Sequence, residues 1–252
     1  AIISPILYFF ETYSNNGWII AWIIVTCFII AIQPLFVHVI APMFNKFTSL
    51  EEGELRTAIE NFADKVNFPV GRIDVMDGSR RSAHSNAYFS GFGKSRRIAL
   101  FDTLLEKHTT DEIVSVVAHE VGHYKKKHII TGTIIGILET GLMLFIFNMF
   151  MNNEALFSVF GVKNISVYAG LVFFGMLYAP ISLFTSIIST AMSRKNEFEA
   201  DAYAKETFNG EDLSLALKKL SVDSLSNIYP HPLYVFFHYS HPPLIQRLRA
   251  LN

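Results

Sequence analysis

The sequence has little cysteine and little charge, and each shortage excludes a class of protein. Its 252 residues include one cysteine, Cys27, so the chain cannot form an internal disulfide, and a lone thiol in an apolar run supports neither a redox motif nor a thiol protease. Only 17% of the residues are charged, with 21 basic side chains against 22 acidic ones. No dense basic stripe interleaved with aromatics is present, so we expect no nucleic-acid partner.

Internal repeats, low-complexity tracts and a signal peptide are missing as well. The chain begins AIISPILYFF, without an initiating methionine or a basic leader. We interpret this beginning as the end of another apolar segment, and we expect the sequence to be truncated at its N-terminus.

Apolar residues, in contrast, are abundant. They make up 51% of the chain, with a mean hydropathy of +0.32, which is high for an ordinary soluble domain. Residues 18–41, 129–151 and 165–192 each reach the roughly 20 apolar residues that a membrane-spanning helix needs. Pro34 predicts a kink inside the first of these segments, and Pro180 lies inside the third. The sequence therefore predicts a mostly α-helical, multi-pass membrane protein.

The last two spans are close together in the sequence and predict a membrane hairpin. The polar segments that flank it then lie on one side of the membrane, and of the 21 lysines and arginines only Lys163 lies in the connection of the hairpin. The positive-inside rule places the flanking segments in the cytoplasm. We expect four parts: a membrane segment at 1–41, a polar half at 42–128, the hairpin at 129–192 and a second polar half at 193–252.

The first polar half carries both helical and strand patterns. Apolar residues recur every three to four positions over 50–66, which predicts an amphipathic helix. A short apolar run at 73–76 predicts a strand, and residues 86–101 predict a β-hairpin that turns at Gly91 and Gly93. This segment is therefore predicted to be an α+β region with a small sheet.

A further helix is predicted to begin at a capping box, Thr109 with Glu112, and it carries the sequence HEVGH. His119 and His123 are four residues apart, so both imidazoles lie on one helical face and can bind one Zn2+. Glu120 lies about 100 degrees round the helix and can act as a general base toward water.

A catalytic zinc needs a third protein ligand. Metzincins take theirs from a glycine and histidine pattern just downstream, but Lys126 and Ile129 occupy those positions here. His128 is one residue out of register. The third ligand must therefore come from elsewhere in the chain.

The sequence NEFEAD offers two carboxylates on one helical face, Glu197 and Asp201. One of them can bind the metal while the other orients a ligating histidine. The spacing leaves open which does which. Glu199 is predicted to point away, and Ala200 is small enough to allow close approach of another helix.

Four separated motifs carry a resemblance to a known family. They are GSRRSAHSNAYFSGFGKSRRIALFDTLL, HEVGH, NEFEAD and HYSHPPLIQRLRAL, in this order and interrupted by the apolar hairpin. Together they resemble the integral-membrane zinc metalloproteases of the CAAX prenyl protease 1 family, over nearly the whole chain from about Trp18. Smaller heat-shock-type membrane proteases share the zinc motifs, but HSNAYF and FDTLL are more similar to the CAAX branch.

The resemblance implies a zincin-like catalytic region of the gluzincin type, with one zinc per chain. It implies that His119, His123 and Glu197 are the zinc ligands. Glu120 would be the general base, and Asp201 would be hydrogen-bonded to a ligating histidine.

The resemblance also implies how a substrate is held. Asn86 would bind the substrate backbone, His241 would donate a hydrogen bond to the developing oxyanion, and Arg247 would brace the carboxylates around the metal. The partners would be the lipid bilayer and a prenylated or other membrane-associated peptide, with an isoprenylated CAAX C-terminus losing its last three residues. The location would be the endoplasmic reticulum membrane in a eukaryote and the cytoplasmic membrane in a prokaryote.

Two alternatives stay open from the sequence. The same chemistry could serve membrane-protein quality control, which would differ in substrate only. A non-catalytic membrane scaffold with structural zinc would instead need four protein ligands on the metal.

Overall fold

The computed structural model describes residues 8–10, 12–13, 16–80, 85–90, 97–151 and 153–252. The chain divides into two compact units. The apolar unit consists of Ala1–Gln33 and Ile130–Ile188. The polar unit consists of Pro34–Ile129 and Ser189–Asn252.

The described residues are mostly helical, with one small sheet. The α-helices are α1 Gly17–Leu35, α2 Ala41–Phe44, α3 Glu54–Lys65, α4 Asp102–Lys107, α5 Thr110–Lys125, α6 His128–Met151, α7 Glu154–Val159, α8 Val167–Leu177, α9 Ala179–Thr207, α10 Gly210–Asp223, α11 Pro232–His238 and α12 Leu244–Leu251. The strands are β1 Phe47–Ser49, β2 Arg72–Met76, β3 Ala87–Ser90 and β4 Arg97–Phe101. A π-helical segment, Phe36–Ile40, joins α1 to α2, and a 3-10 turn occupies Gly78–Arg80.

Helices α1 and α6 are long and apolar enough to cross a membrane, with mean hydropathies of 2.3 and 2.0. Helices α8 and α9 pass the same test when they are taken together, although they meet at a 52° bend. They form a third span if the bent pair is counted as one. Pro180 is the second residue of α9, just after this bend, a position where its missing N–H costs no helical hydrogen bond. The prediction of a mostly helical membrane protein is confirmed.

Small residues allow close packing within the apolar unit. The indole N–H of Trp22 donates to the backbone carbonyl of Ile137 at 2.8 Å. A Cβ on Gly141 would lie 2.8 Å from the same indole ring, and one on Gly170 would overlap the sulfur of Met151. Helices without a hydrophobic driving force between them associate through such close contacts and hydrogen bonds.

The sheet of the polar unit has the strand order β1-β2-β4-β3. Strands β3 and β4 are antiparallel, with Ala87 opposite Leu100, so the predicted pairing of the hairpin is confirmed. Its predicted turn at Gly91 and Gly93 lies outside the described residues. Strand β2 is parallel to β4 and antiparallel to β1, a short strand that the sequence did not predict. In the order of the described strands, β3 lies at one edge.

The amphipathic stretch at 50–66 is helical only from Glu54. Leu50 belongs to the apolar pattern and is buried, but it lies before the helix, where its N–H donates to Ile73 O at 2.9 Å. Leu50 thus joins the core from a segment hydrogen-bonded to the sheet, which explains why periodicity alone extended the helix too far. Helices α3, α5 and α10 bury their apolar faces in one core with the sheet. Central members of that core are Ile59, Phe62, Leu100, Val114, Val117 and Leu213.

The two elements that carry the zinc motifs are both well defined. The predicted capping box is present: Thr109 Oγ1 accepts from the N–H of Glu112 at 3.3 Å, and the Glu112 carboxylate accepts from the N–H of Thr109 at 3.1 Å. The sequence NEFEAD, expected on a separate helix after the span, instead continues α9 without a break. No glycine or proline interrupts the chain between Met192 and Glu197, so no backbone breaker ends the helix there.

Candidate metal centre

Three side chains meet between α5 and α9 with donor atoms facing one another. The Nε2 atoms of His119 and His123 are 3.1 Å apart. Glu197 Oε2 lies 3.6 Å from the first and Glu197 Oε1 lies 3.4 Å from the second. Donors bonded to one tetrahedral zinc at their usual bond lengths are separated by roughly 3.3–3.5 Å. Two imidazoles and a carboxylate at these separations therefore fit a single Zn2+ ion.

The local sequence explains why the two imidazoles converge. Residues four apart on a helix lie above one another on one face, and His119 and His123 keep this relationship because α5 is regular through both. The capping box fixes where the helix begins, and the buried residues of its other face hold it against the core. Both metal-facing imidazoles are thus carried on a rigid element.

Glu197 and Asp201, which their spacing alone could not tell apart, have different surroundings. Glu197 belongs to the group of three donors. Asp201 Oδ1 instead accepts from Nδ1 of His119 at 2.9 Å, on the side of the ring opposite the donor atom. A carboxylate there fixes the tautomer in which Nε2 is free to bind a metal.

Arg247 joins the two carboxylates. Its Nε and Nη2 bind the two oxygens of Asp201 at 2.8 and 2.6 Å, and its Nη1 lies 3.3 Å from Glu197 Oε2. The bidentate pair is almost completely buried, since the side chain of Asp201 is 1% exposed and that of Arg247 is 11% exposed. The planar guanidinium matches a carboxylate in a way that a lysine could not.

The electrostatics keep both carboxylates ionised. Burial acts to raise the pKa of Glu197, but the hydrogen bond with His123 and the charges of His119 and Arg247 outweigh it and lower this pKa to about 2. Burial likewise acts to raise the pKa of Asp201, while Arg247 and His119 lower it below its ordinary value. Ionised carboxylates are the form that binds a metal or orients an imidazole.

Glu120 lies in the same centre and has the opposite tendency. Burial raises the pKa of its carboxyl, and the neighbouring negative charge of Glu197 adds to this, against the opposing influence of the two histidines. A carboxylate with a raised pKa accepts and returns a proton closer to neutral pH than an exposed glutamate does.

The remaining predicted residues lie around this centre. His241 Nε2 is 3.4 Å from Glu197 Oε1, and its side chain is 66% exposed. Asn86 is exposed and immediately precedes β3, where its carbonyl accepts from the N–H of Phe101 at 3.0 Å. Its strand packs beside α5, the helix of the two histidines.

A cavity of about 430 Å³ adjoins the centre, with Arg247 and His241 in its wall. The rest of the wall has an apolar part that includes Leu217, Leu220 and Leu244, and a polar part formed by Ser221, Ser224, Ser226 and Asn227. Its volume lies in the range usual for small-ligand sites.

Two residues that the sequence analysis set aside also reach the centre. His128 Nδ1 lies 3.0 Å from Nδ1 of His123, and its Nε2 lies 3.1 Å from Oε2 of Glu199. His128 was rejected only as a metal ligand in the metzincin pattern, and Glu199 does point away from the donor atoms. A sequence signal could have found them. His128 lies shortly after HEVGH and Glu199 lies within NEFEAD, so each belongs to a segment that carries a zinc motif.

The fold and the centre are similar to those of membrane metallopeptidases of the zincin class, with HExxH on one helix and a carboxylate on another. The chain belongs to peptidase family M48, whose sequence profile matches residues 49–252. Peptidases of this family depend on zinc, which agrees with the donor set.

Several relatives extend this comparison. The chain is 40% identical to "CAAX prenyl protease 1" of Saccharomyces cerevisiae, over 100% of this chain and 60% of that protein. It is 33% identical to "CAAX prenyl protease 1 homolog" of Homo sapiens, over 99% of this chain and 61% of that protein. The crystal structure of S. mikatae Ste24p superimposes with a TM-score of 0.89 at 37% identity, covering 100% of this chain and 62% of that one.

These comparisons confirm the resemblance drawn from the four motifs. The chain spans about six tenths of the length of the relatives it matches. Its apolar helices and its relatives together identify an integral membrane protein.

Proposed function

We propose that this chain carries the catalytic centre of a membrane zinc endopeptidase that removes the C-terminal tripeptide from isoprenylated CAAX proteins. The observation that carries the proposal is the convergence of His119, His123 and Glu197 at separations suited to one zinc, with Glu120 beside them. The relatives named CAAX prenyl protease 1 and CAAX prenyl protease 1 homolog support the choice of substrate class.

The residues divide the work of peptide hydrolysis. Zinc, when bound, polarises the scissile carbonyl and lowers the pKa of the attacking water. Glu120 takes the proton from that water and returns it to the leaving amine. His241, exposed beside Glu197, donates a hydrogen bond to the oxygen of the scissile carbonyl as negative charge develops there. Asp201 and Arg247 hold the charged groups in place.

The substrate backbone would bind along β3. This strand lies at an edge of the described sheet and packs beside α5, so an extended peptide can add to it as a further strand close to the metal-binding helix. Asn86 at the start of β3 would hydrogen-bond the peptide backbone. The apolar part of the cavity beside His241 suits the aliphatic residues of a CAAX tripeptide.

The charge pattern and the relatives support a location for this chain. The positive-inside rule favours a centre that faces the cytoplasm, and the relatives from eukaryotes favour the endoplasmic reticulum membrane. Prenylated C-termini are tethered to the membrane, so a membrane-embedded peptidase would meet them there.

The test uses the detergent-purified chain, a farnesylated CAAX peptide and its unprenylated twin, each with and without a chelator. Wild-type protein should cleave the farnesylated peptide, and the chelator should abolish cleavage. Glu120→Gln should keep its zinc and lose cleavage, because the base is removed while the ligands remain. Asp111→Asn, an exposed carboxylate on the same helix, should change neither.

Three results would count against the proposal. Undiminished turnover by Glu120→Gln would reject the assigned base. Equal cleavage of both peptides would reject prenyl recognition and favour quality control as the function. A fourth protein side chain on the metal in place of water would favour a structural zinc in a scaffold.

A further inference from the structure

His128 is a buried histidine at the first position of α6, and both of its ring nitrogens have side-chain partners. One nitrogen, Nδ1, lies 3.0 Å from Nδ1 of His123, and the other, Nε2, lies 3.1 Å from the carboxylate of Glu199. The three side chains thus form a row that ends at an imidazole of the candidate metal centre.

The backbone between α5 and α6 explains how His128 reaches this position. Helix α5 ends at Lys125, and Lys127 has a left-handed φ of 60°. Its N–H donates to the carbonyl of Tyr124 at 3.0 Å. This turn breaks the helical register and folds His128 back toward His123. A continuous helix would have carried His128 away from that face.

The chemistry of the row assigns each proton. If Nε2 of His123 binds a metal, its Nδ1 must carry the hydrogen and act as a donor. Nδ1 of His128 then accepts, so Nε2 of His128 carries the hydrogen and donates to Glu199. Each of the three groups is satisfied by only one arrangement of donors and acceptors.

We propose that His128 and Glu199 are positioning residues that fix the tautomer and ring orientation of His123. The proposal rests on the proposed function, since it assumes that His123 binds zinc. Neither residue touches the metal or the substrate; Glu199 acts through His128, and His128 acts through His123.

The other imidazole of the centre has a shorter arrangement of the same kind. His119 donates its Nδ1 hydrogen directly to Asp201, at 2.9 Å. His123 reaches a carboxylate only through the intervening ring of His128. Outer partners of this type orient the ligands of metal sites, and their loss typically lowers metal affinity about 10–100-fold.

The charged groups around the row agree with this assignment. Glu199 also lies 3.6 Å from Lys195, one helical turn before it, and its side chain is 37% exposed. Lys195 and His128 therefore compete for the Glu199 carboxylate. The ion pair with Lys195 is exposed, and exposed ion pairs contribute little to stability. The carboxylate therefore remains available to His128.

The test measures zinc affinity by competition with a chromophoric chelator, on the detergent-purified chain. His128→Leu removes the acceptor and should lower zinc affinity at least tenfold. His128→Asn places an amide oxygen near the position of Nδ1 and should restore most of that loss. His108→Leu is the matched control, because His108 is equally buried and hydrogen-bonded but lies outside the centre, and it should leave zinc affinity unchanged.

A double-variant cycle tests the row as a unit. Glu199→Ala should weaken zinc binding less than His128→Leu does, and the double variant should be no weaker than His128→Leu alone, because Glu199 acts only through His128. Glu206→Ala, an exposed carboxylate on the same helix, should have no effect. In the cobalt-substituted protein, His128→Leu should shift the visible absorption bands, whereas His108→Leu should not.

The outcomes separate this inference from the proposed function. If His119→Ala abolishes zinc binding while His128→Leu binds zinc as tightly as wild type, the positioning role fails and the metal centre stands. Additive losses in the double variant, or no recovery with His128→Asn, would also overturn the inference. If the wild-type chain binds no zinc, both proposals fail together.

Discussion

Gly122 lies directly against Ala200 where α5 meets α9. A Cβ on Gly122 would lie 3.1 Å from the Cα of Ala200 and 3.2 Å from its carbonyl oxygen. Gly122 is next to His123, and Ala200 is three residues beyond Glu197. The near absence of side chains at this meeting point lets the carboxylate of one helix reach the imidazoles of the other.

Gly122→Ala should lower zinc affinity and reduce the free energy of unfolding by about 1–3 kcal/mol, since overpacking a tight contact forces the backbone to move. The obstructing atoms belong partly to backbone, which no side-chain rotation can displace. Zinc affinity by chelator competition and chemical unfolding in detergent would measure both effects. Gly132→Ala on α6 is the control, because no atom lies within 4 Å of its Cβ position. Unchanged zinc affinity in Gly122→Ala would show that this contact does not set the ligand geometry.

Arg247→Leu should reduce the free energy of unfolding by about 3–5 kcal/mol, because it leaves the buried Asp201 carboxylate without its counter-charge. Arg247→Lys should recover only part of this, since an ammonium cannot bind both oxygens of Asp201 and reach Glu197 at once. The measurement is chemical unfolding of chelator-treated protein, so that loss of metal does not contribute.

Arg249→Lys provides the comparison for this prediction. Arg249 is exposed and lies two residues further along α12. Its replacement should change stability by less than about 0.5 kcal/mol, as is usual for surface positions. Equal effects at the two positions would mean that the bidentate pair contributes nothing beyond an ordinary surface charge.

The metal-binding helix was predictable from local rules. Thr109 and Glu112 cap the helix through neighbouring atoms, and His119 and His123 share a face because of helix geometry alone. The membrane spans were predictable as well. A spanning helix needs a certain length and apolar residues, and both can be read from the sequence. The roles of Glu197 and Asp201 followed from the family resemblance and not from the spacing, because both carboxylates lie on the same face and only the approach of α5 distinguishes them.

Other features were not predictable because local patterns in the sequence do not reveal them. His128 was considered only for the metzincin pattern, where it is one position out of register, and the turn at Lys127 that brings it against His123 was not foreseen. Strand β1 is three residues long and carries no alternating pattern that could reveal it. The prediction of a separate helix for NEFEAD was wrong, because the end of the apolar span was taken for the end of the helix.

Gly141→Leu should destabilise the apolar unit by about 1–3 kcal/mol, because its side chain would enter the space of the Trp22 indole. It should also disturb the hydrogen bond from Trp22 to Ile137, and hence alter tryptophan fluorescence. Gly136→Leu, on the same helix with no atom within 4 Å of its Cβ position, is the control. If both variants unfold alike in detergent, close packing at Gly141 does not stabilise the spans.

Lys127→Val should reduce the free energy of unfolding by about 1–2 kcal/mol, because a β-branched residue strongly disfavours the left-handed conformation at this position. Lys126→Val removes the same charge from the neighbouring position, whose φ of −81° any residue can adopt, and should have a much smaller effect. Lys127→Gly should lose less stability than Lys127→Val, since glycine adopts positive φ without strain. Because this turn places His128 against His123, Lys127→Val should also weaken zinc binding in the chelator assay, while Lys127→Gly should not. Equal losses for Lys126→Val and Lys127→Val would show that charge, rather than the backbone conformation of the turn, is what matters at this junction.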